Sequence, residues 1–125
     1  MGGRGRAVAA GRGPRLITPP GLSRGAVWLA ELPRPDRARP VVLVSREEAY
    51  ARRELVTVAY VTTRARRIRS QVPVGRREGL DRDSVVNCDL LATIDRDVLR
   101  ERLGSLAPPK LTELDDALRF ALGIG

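Results

Sequence analysis

The chain contains no histidine and a single cysteine, Cys88. The imidazole that serves most acid–base and transition-metal chemistry is therefore missing, and a Cys–His nucleophile cannot be built. Proton transfer and charge stabilisation must fall to arginine, carboxylates, hydroxyls and backbone dipoles; no metal site and no cofactor are expected. The densest run of such groups is Thr62, Thr63, Arg64, Arg66, Arg67, Arg69, Arg76 and Arg77, with no acidic residue before Glu78. Six guanidinium groups on so short a stretch can track a single-stranded polyanion and stack on its bases. Taken singly, each is equally well a solvated loop arginine. Cys88 sits between Asn87 and Asp89 in an otherwise apolar stretch and reads as inert core. On residue type alone Arg39 is a strand-edge arginine in a surface ion pair, and Thr62 is an ordinary strand threonine.

A chain of 125 residues is the size of one domain. Only Trp28, Tyr50, Tyr60 and Phe120 are aromatic, so the core must be made of Val, Leu, Ile and Ala. The net charge of +8, from 23 basic and 15 acidic residues, points to a polyanion or an acidic protein as partner. All the basic residues but Lys110 are arginine, which suits phosphate forks and equally a GC-rich coding sequence. One cysteine permits no internal disulfide and fits a reducing compartment. No apolar run approaches the ~20 residues needed to span a bilayer, and the N-terminus lacks an apolar signal region. A cytoplasmic protein with no membrane association is expected.

Residues 1–22, rich in Gly, Pro and Arg and without an acidic residue, read as a disordered basic tail. The domain proper is then 23–125. Ala26–Leu32 has strand composition, 33–38 is a loop, and Arg39–Val44 is a continuous apolar run expected as a buried strand. Ser45 and Glu48 have capping-box spacing, which predicts a short helix over 46–53. Leu55–Thr62 is the third strand, Gln71–Val74 a short fourth after the Thr-and-Arg loop, and Ser84–Leu91 a fifth, with Thr93 and Ile94 as a short sixth. Asp95–Leu103 reads as a helix capped by Asp95 and stopped at Gly104. A last helix over 109–122 carries Leu111, Leu114, Leu118 and Leu122 as one apolar stripe. Consecutive short strands favour antiparallel pairing in a mainly β, small, partly open barrel closed by the C-terminal helix.

The order of these segments resembles the MazF/PemK/CcdB-like family. Arg24-Gly25-Ala26-Val27-Trp28-Leu29 is similar to its opening strand, and Arg39-Pro40-Val41-Val42-Leu43-Val44-Ser45 to its second. Val58-Ala59-Tyr60-Val61-Thr62-Thr63 resembles its third strand end. Asp83-Ser84-Val85-Val86-Asn87-Cys88-Asp89, then Thr93-Ile94-Asp95, is similar to its fifth segment. Arg102-Leu103-Gly104-Ser105-Leu106 and the closing Leu114-Asp115-Asp116-Ala117-Leu118 complete the match, which runs from about Arg24 to Gly123. The resemblance implies an SH3-like barrel, a homodimer, and the toxin of a type II toxin–antitoxin pair. It further implies metal-independent, sequence-specific cleavage of single-stranded RNA to 2′,3′-cyclic phosphate and 5′-hydroxyl ends. The implied partners are mRNA, an acidic antitoxin that blocks the RNA groove, and operator DNA only through that antitoxin.

By position, the resemblance makes Arg39 and Thr62 catalytic and Asp89 an acidic catalytic position. Thr63, Arg64, Arg66, Arg67, Arg69 and Asn87 are then the RNA-binding set. A fixed guanidinium and hydroxyl would stabilise charge growing on the phosphate oxygens. Two departures stand out. Asn87 replaces the arginine that the PemK branch has two residues before its acid, and the 33–38 loop is short, with Asp36 its one carboxylate. The general base is open between Asp36, Asp89 and activation by substrate and water. A gyrase-poisoning protein of the same fold, as in the CcdB branch, is the first rival; that branch relies on a C-terminal tryptophan, whereas this chain ends Ala121-Leu122-Gly123-Ile124-Gly125. An inactive homologue that only binds an antitoxin is the second.

Overall fold

The computed structural model describes residues 20–33 and 37–125. Six strands are β1 (Ala26–Glu31), β2 (Ala38–Leu43), β3 (Leu55–Thr62), β4 (Gln71–Val74), β5 (Ser84–Asp95) and β6 (Leu99–Ser105). Two helices are α1 (Ala49–Arg52) and α2 (Pro108–Leu122). Every strand pair is antiparallel and the sheet order is β4-β5-β3-β2-β1-β6. The sheet curls into a half-barrel with α2 against β4 and β5, so the mainly β, partly open barrel with a C-terminal helix is as expected.

Alternation along β2 and β3 explains their near-continuous apolar sequence. Val42, Ala59 and Val61 point to one side, where Val27, Val86, Cys88 and α2's Leu114 and Ala117 complete a core cluster. Val41, Leu43, Val56 and Val58 point to the other, packing with Leu22, Ala26 and Tyr50. A strand covered on both faces buries successive residues, which removes the polar alternation of a half-exposed strand.

Four expectations need correcting. Ser45 does not open a helix: its Oγ accepts the Thr57 N–H across to β3 at 2.7 Å. The helix shrinks to α1, with Glu48 at its N-cap and no side-chain cap. Thr93 and Ile94 are not a separate strand but the continuation of β5, paired with Thr57 and Val56. Asp95 does accept the Asp97 N–H, but it caps only a single 3₁₀ turn at Arg96–Val98. The rest of the expected helix is β6, because the edge of β1 offers it a ladder from Ala26↔Ser105 to Ala30↔Leu99; tertiary pairing overrides the helix propensity of Leu, Arg and Glu. In α2, Leu114 is fully buried and Leu111 and Leu118 pack on the core, whereas Leu122 is exposed.

The packed domain also begins earlier than residue 23. Leu22 is buried, and the Gly21 carbonyl accepts the Trp28 indole N–H at 2.9 Å. Residues 1–19 of the expected tail, and 34–36 of the first loop with Asp36, lie outside the described residues.

The turn that follows β4, at one end of the sheet order, meets β6 at the other end in a seam. After β4, a 3₁₀ turn at Arg76–Glu78 runs into Gly79, which has φ +92°. A Cβ on Gly79 would lie 2.0 Å from the Leu103 carbonyl oxygen, and one on Gly104 would lie 2.4 Å from that of Glu78. Both distances are impossible for real atoms, so only glycine permits this backbone approach.

Candidate functional site

Residues paired directly across antiparallel strands face the same side of a sheet, so the registers define rows of side chains. One row crosses all six strands: Gln71, Asn87, Tyr60, Val41, Trp28 and Arg102. The next row contains Pro73, Val85 and Thr62. The β2–β3 ladder ends at Val41↔Tyr60; Arg39, two residues from Val41 and paired with Ala30, and Thr62, two residues from Tyr60, point to the same side by strand alternation. Arg39 and Thr62 therefore share one face of adjoining strands. Both are half-buried.

Arg39 is held in place by its surroundings. Its Nη2 donates to the Val61 carbonyl at 3.3 Å, and its Cζ lies 4.9 Å from the centre of the Tyr60 ring. Such a cation–π contact is worth about 0.5–1 kcal/mol at an exposed site and more when desolvated. Thr62 Oγ1 accepts the Arg64 N–H at 3.2 Å. The amide thereby occupies one lone pair of the hydroxyl and directs its own proton elsewhere.

The loop between β3 and β4 is tied down at its C-terminal end. Gln71 Oε1 accepts the Arg66 N–H at 2.8 Å, and Gln71 Nε2 donates to the Arg64 carbonyl at 3.5 Å. Ser70, only 1 % exposed, donates its hydroxyl to Asp89 Oδ2 at 2.5 Å, while its carbonyl accepts the Cys88 N–H at 2.8 Å. These bonds hold Arg67 at φ +54°, a left-handed conformation that a non-glycine residue adopts at a cost. Arg64, Arg66 and Arg67 are exposed. Arg69 is turned toward α2, its Cζ 4.5 Å from the centre of the Phe120 ring.

Asp89 stands on a bulge. The β3–β5 register jumps from Ala59↔Leu91 to Tyr60↔Asn87, so Cys88, Asp89 and Leu90 have no counterpart on β3. Asn87 Oδ1 accepts the Asp89 N–H at 3.0 Å and stabilises the bulge. Asp89 is exposed and Cys88 is buried. Burial, with the neighbouring Asp89 charge second, pushes the Cys88 thiol up to about 11. At neutral pH it stays protonated and is no nucleophile.

Thr63 lines two recesses. One, of about 800 Å³, is bordered by Arg67, Gln71, Arg76, Arg77 and Lys110 as well. The other, of about 220 Å³, is bordered by Pro40, Thr62, Arg82 and Ser84. Carboxylates share both recesses, Glu78, Asp83 and Glu113 in the larger and Asp81 in the smaller, so the guanidinium and hydroxyl donors are the groups there that suit a chain of phosphates. Among the described residues, no three of His, Cys, Asp and Glu come together to hold a metal, and no helix is long and apolar enough to cross a membrane.

Of the expected site residues, Arg39, Thr62 and Asn87 fall on one sheet face, and Thr63 begins the groove. Asp89 lies on the bulge, bound to Ser70. Tyr60 was overlooked although its period-2 phase with Thr62 was legible. Ser70 and Gln71 carried no signal, because their partners come from another strand and from the far side of the loop.

Residues 23–122 match the family of PemK-like, MazF-like toxins of type II toxin–antitoxin systems. The chain is 39% identical over 88 residues to endoribonuclease MazF3 of Mycobacterium tuberculosis, covering 70% of this chain and 82% of that one. Its fold is similar to that of the M. tuberculosis toxin MazF-mt6, with a TM-score of 0.74, 34% identity, and coverage of 80% and 98% of the two chains. It is also similar to a mycobacterial endoribonuclease in complex with its cognate antitoxin, with a TM-score of 0.75, 29% identity, and coverage of 83% and 97%.

Proposed function

Since the chain belongs to the PemK-like, MazF-like family, and is an endoribonuclease toxin of a toxin–antitoxin system with an antitoxin for partner, we propose that it cuts single-stranded RNA at the face shared by Arg39 and Thr62. The common face of these two side chains is the observation that carries the reading. The substrate's 2′-hydroxyl oxygen attacks the adjacent phosphorus as the bond to the 5′-oxygen breaks. The products are a 2′,3′-cyclic phosphate and a leaving 5′-oxygen that takes its proton from solvent water to become the 5′-hydroxyl. Negative charge grows on the phosphate oxygens and on the leaving oxygen during this step. The Arg39 guanidinium and Thr62 hydroxyl meet that charge as pre-positioned donors, with no reorganisation needed at the moment of reaction. Arg39 serves as an electrostatic partner through its fixed, forked positive charge.

Asp89 is the carboxylate we assign to the 2′-hydroxyl proton, with one oxygen fixed by Ser70. Thr63, Arg64, Arg66 and Arg67 carry the flanking phosphates along the groove, and Asn87 faces the substrate from the row next to Thr62. Arg69, stacked on Phe120, contributes through the loop's shape as well as its charge. The working particle is a homodimer, and its antitoxin is acidic and occludes the groove.

The test is direct. Purified chain is incubated with single-stranded RNA in excess EDTA, and the cleavage ends are mapped. Cleavage to the stated ends is expected, and Arg39→Ala, folded by circular dichroism, should lose about 10²–10³-fold in kcat. A folded Arg39→Ala protein that cuts at the parental rate ends the proposal.

A further inference from the structure

We infer that Gln71 is a positioning residue for cleavage, acting on Thr62 through the backbone of Arg64; this rests on the catalytic reading of Thr62 above. The side-chain carboxamide of Gln71 bridges two points of the 63–70 loop, accepting the Arg66 N–H at 2.8 Å and donating to the Arg64 carbonyl at 3.5 Å. Its backbone N–H closes the same loop on the Ile68 carbonyl at 3.0 Å. Gln71 holds the peptide that follows the Arg64 Cα through its carbonyl, and the peptide before that Cα presents the Arg64 N–H to Thr62 Oγ1 at 3.2 Å. A chain of three groups thus joins the β4 carboxamide to the hydroxyl on β3.

The geometry around Gln71 supports a rigid anchor. It is half-buried, and in the β4–β5 ladder it pairs with Asn87, whose own amide oxygen holds the Asp89 N–H. Residue 70, immediately before it, is clamped to Cys88 and Asp89. Gln71 therefore stands on the fixed part of the sheet, and the loop it grips contains Arg67 in a left-handed conformation. Without the carboxamide, that strain would be relieved by rotation of the Arg64–Arg66 peptides, and the Thr62 hydroxyl would lose its partner and its aim. Loss of aim by about an ångström is enough to cost cleavage heavily.

Gln71→Met keeps the length and removes both polar atoms. Gln71→Glu keeps an acceptor for Arg66 but turns a second oxygen on the Arg64 carbonyl. Steady-state cleavage of a single-stranded RNA oligonucleotide should show kcat lowered about ten- to a hundredfold in Gln71→Met, with a smaller rise in KM because the released loop also carries Arg64, Arg66 and Arg67. Gln71→Glu should lie between Met and parent. The Arg66 amide should exchange its hydrogen faster in Gln71→Met, while global stability to urea changes little. Thr62→Val should itself be slow, and adding Gln71→Met to it should slow it no further, since both act on one hydroxyl. Full additivity of the two, or unchanged Arg66 exchange beside a slow Thr62→Val, overturns the clamp alone. A Thr62→Val protein as fast as the parent removes the catalytic reading of Thr62 and, with it, any role for the clamp in cleavage.

Discussion

Cys88 and Asp89 are sequence neighbours in opposite surroundings: the thiol is sealed in the core and the carboxylate lies on the exposed side of a bulge. Native protein at neutral pH should react slowly with a thiol reagent and rapidly once unfolded, which a colorimetric thiol assay reads. The raised thiol also couples to stability. Below about pH 9 the folded and unfolded chains are both protonated at Cys88, and between there and about 11 only the unfolded chain loses its proton. Stability should therefore fall as pH rises through that window, by a linkage that Cys88→Ala abolishes; urea midpoints along the pH series check it. Asp89 is tested by contrast. Asp89→Asn retains an acceptor for Ser70 but not a base, so it should stay folded and lose about 10²–10⁴-fold in kcat. A purely structural Asp89 would tolerate that change. At this scale Arg39 and Thr62 were legible only through the family pattern. The ring that holds the guanidinium and the carboxamide that holds the loop depend on strand register, which residue types do not reveal.

Among the elements, β3 and β4 were legible to the residue, because β-branched runs bounded by charged or glycine-rich turns leave no competing reading. The region after Asp95 was not, since its local pattern suits a helix and only the open edge of β1 makes it a strand. Ser45 taught a related lesson: a hydroxyl spaced for capping was taken instead by an N–H on β3. That bond gives a measurable expectation. Ser45→Ala leaves the Thr57 N–H without its side-chain acceptor, and should cost about 1–3 kcal/mol of unfolding free energy in urea. A surface role for Ser45 would leave stability unchanged.

For the molecule as a whole, a net charge of +8 and an arginine-bordered groove predict RNA affinity that falls steeply with salt. With Arg39→Ala protein to keep the RNA intact, log K against log salt should slope down by about 0.7 for each phosphate contacted. Arg67→Ala should make that slope shallower by about one such contact. Fluorescence anisotropy over a salt series measures both.

Closure of the barrel poses a different demand. Gly79 and Gly104 can each only acquire atoms by mutation, and there is no room for the first of them. What the fold requires there is an emptiness. In bacteria made to survive expression of this toxin without its antitoxin, escape clones should therefore include changes at these two codons as well as at Arg39, although neither glycine has a side chain to offer the RNA.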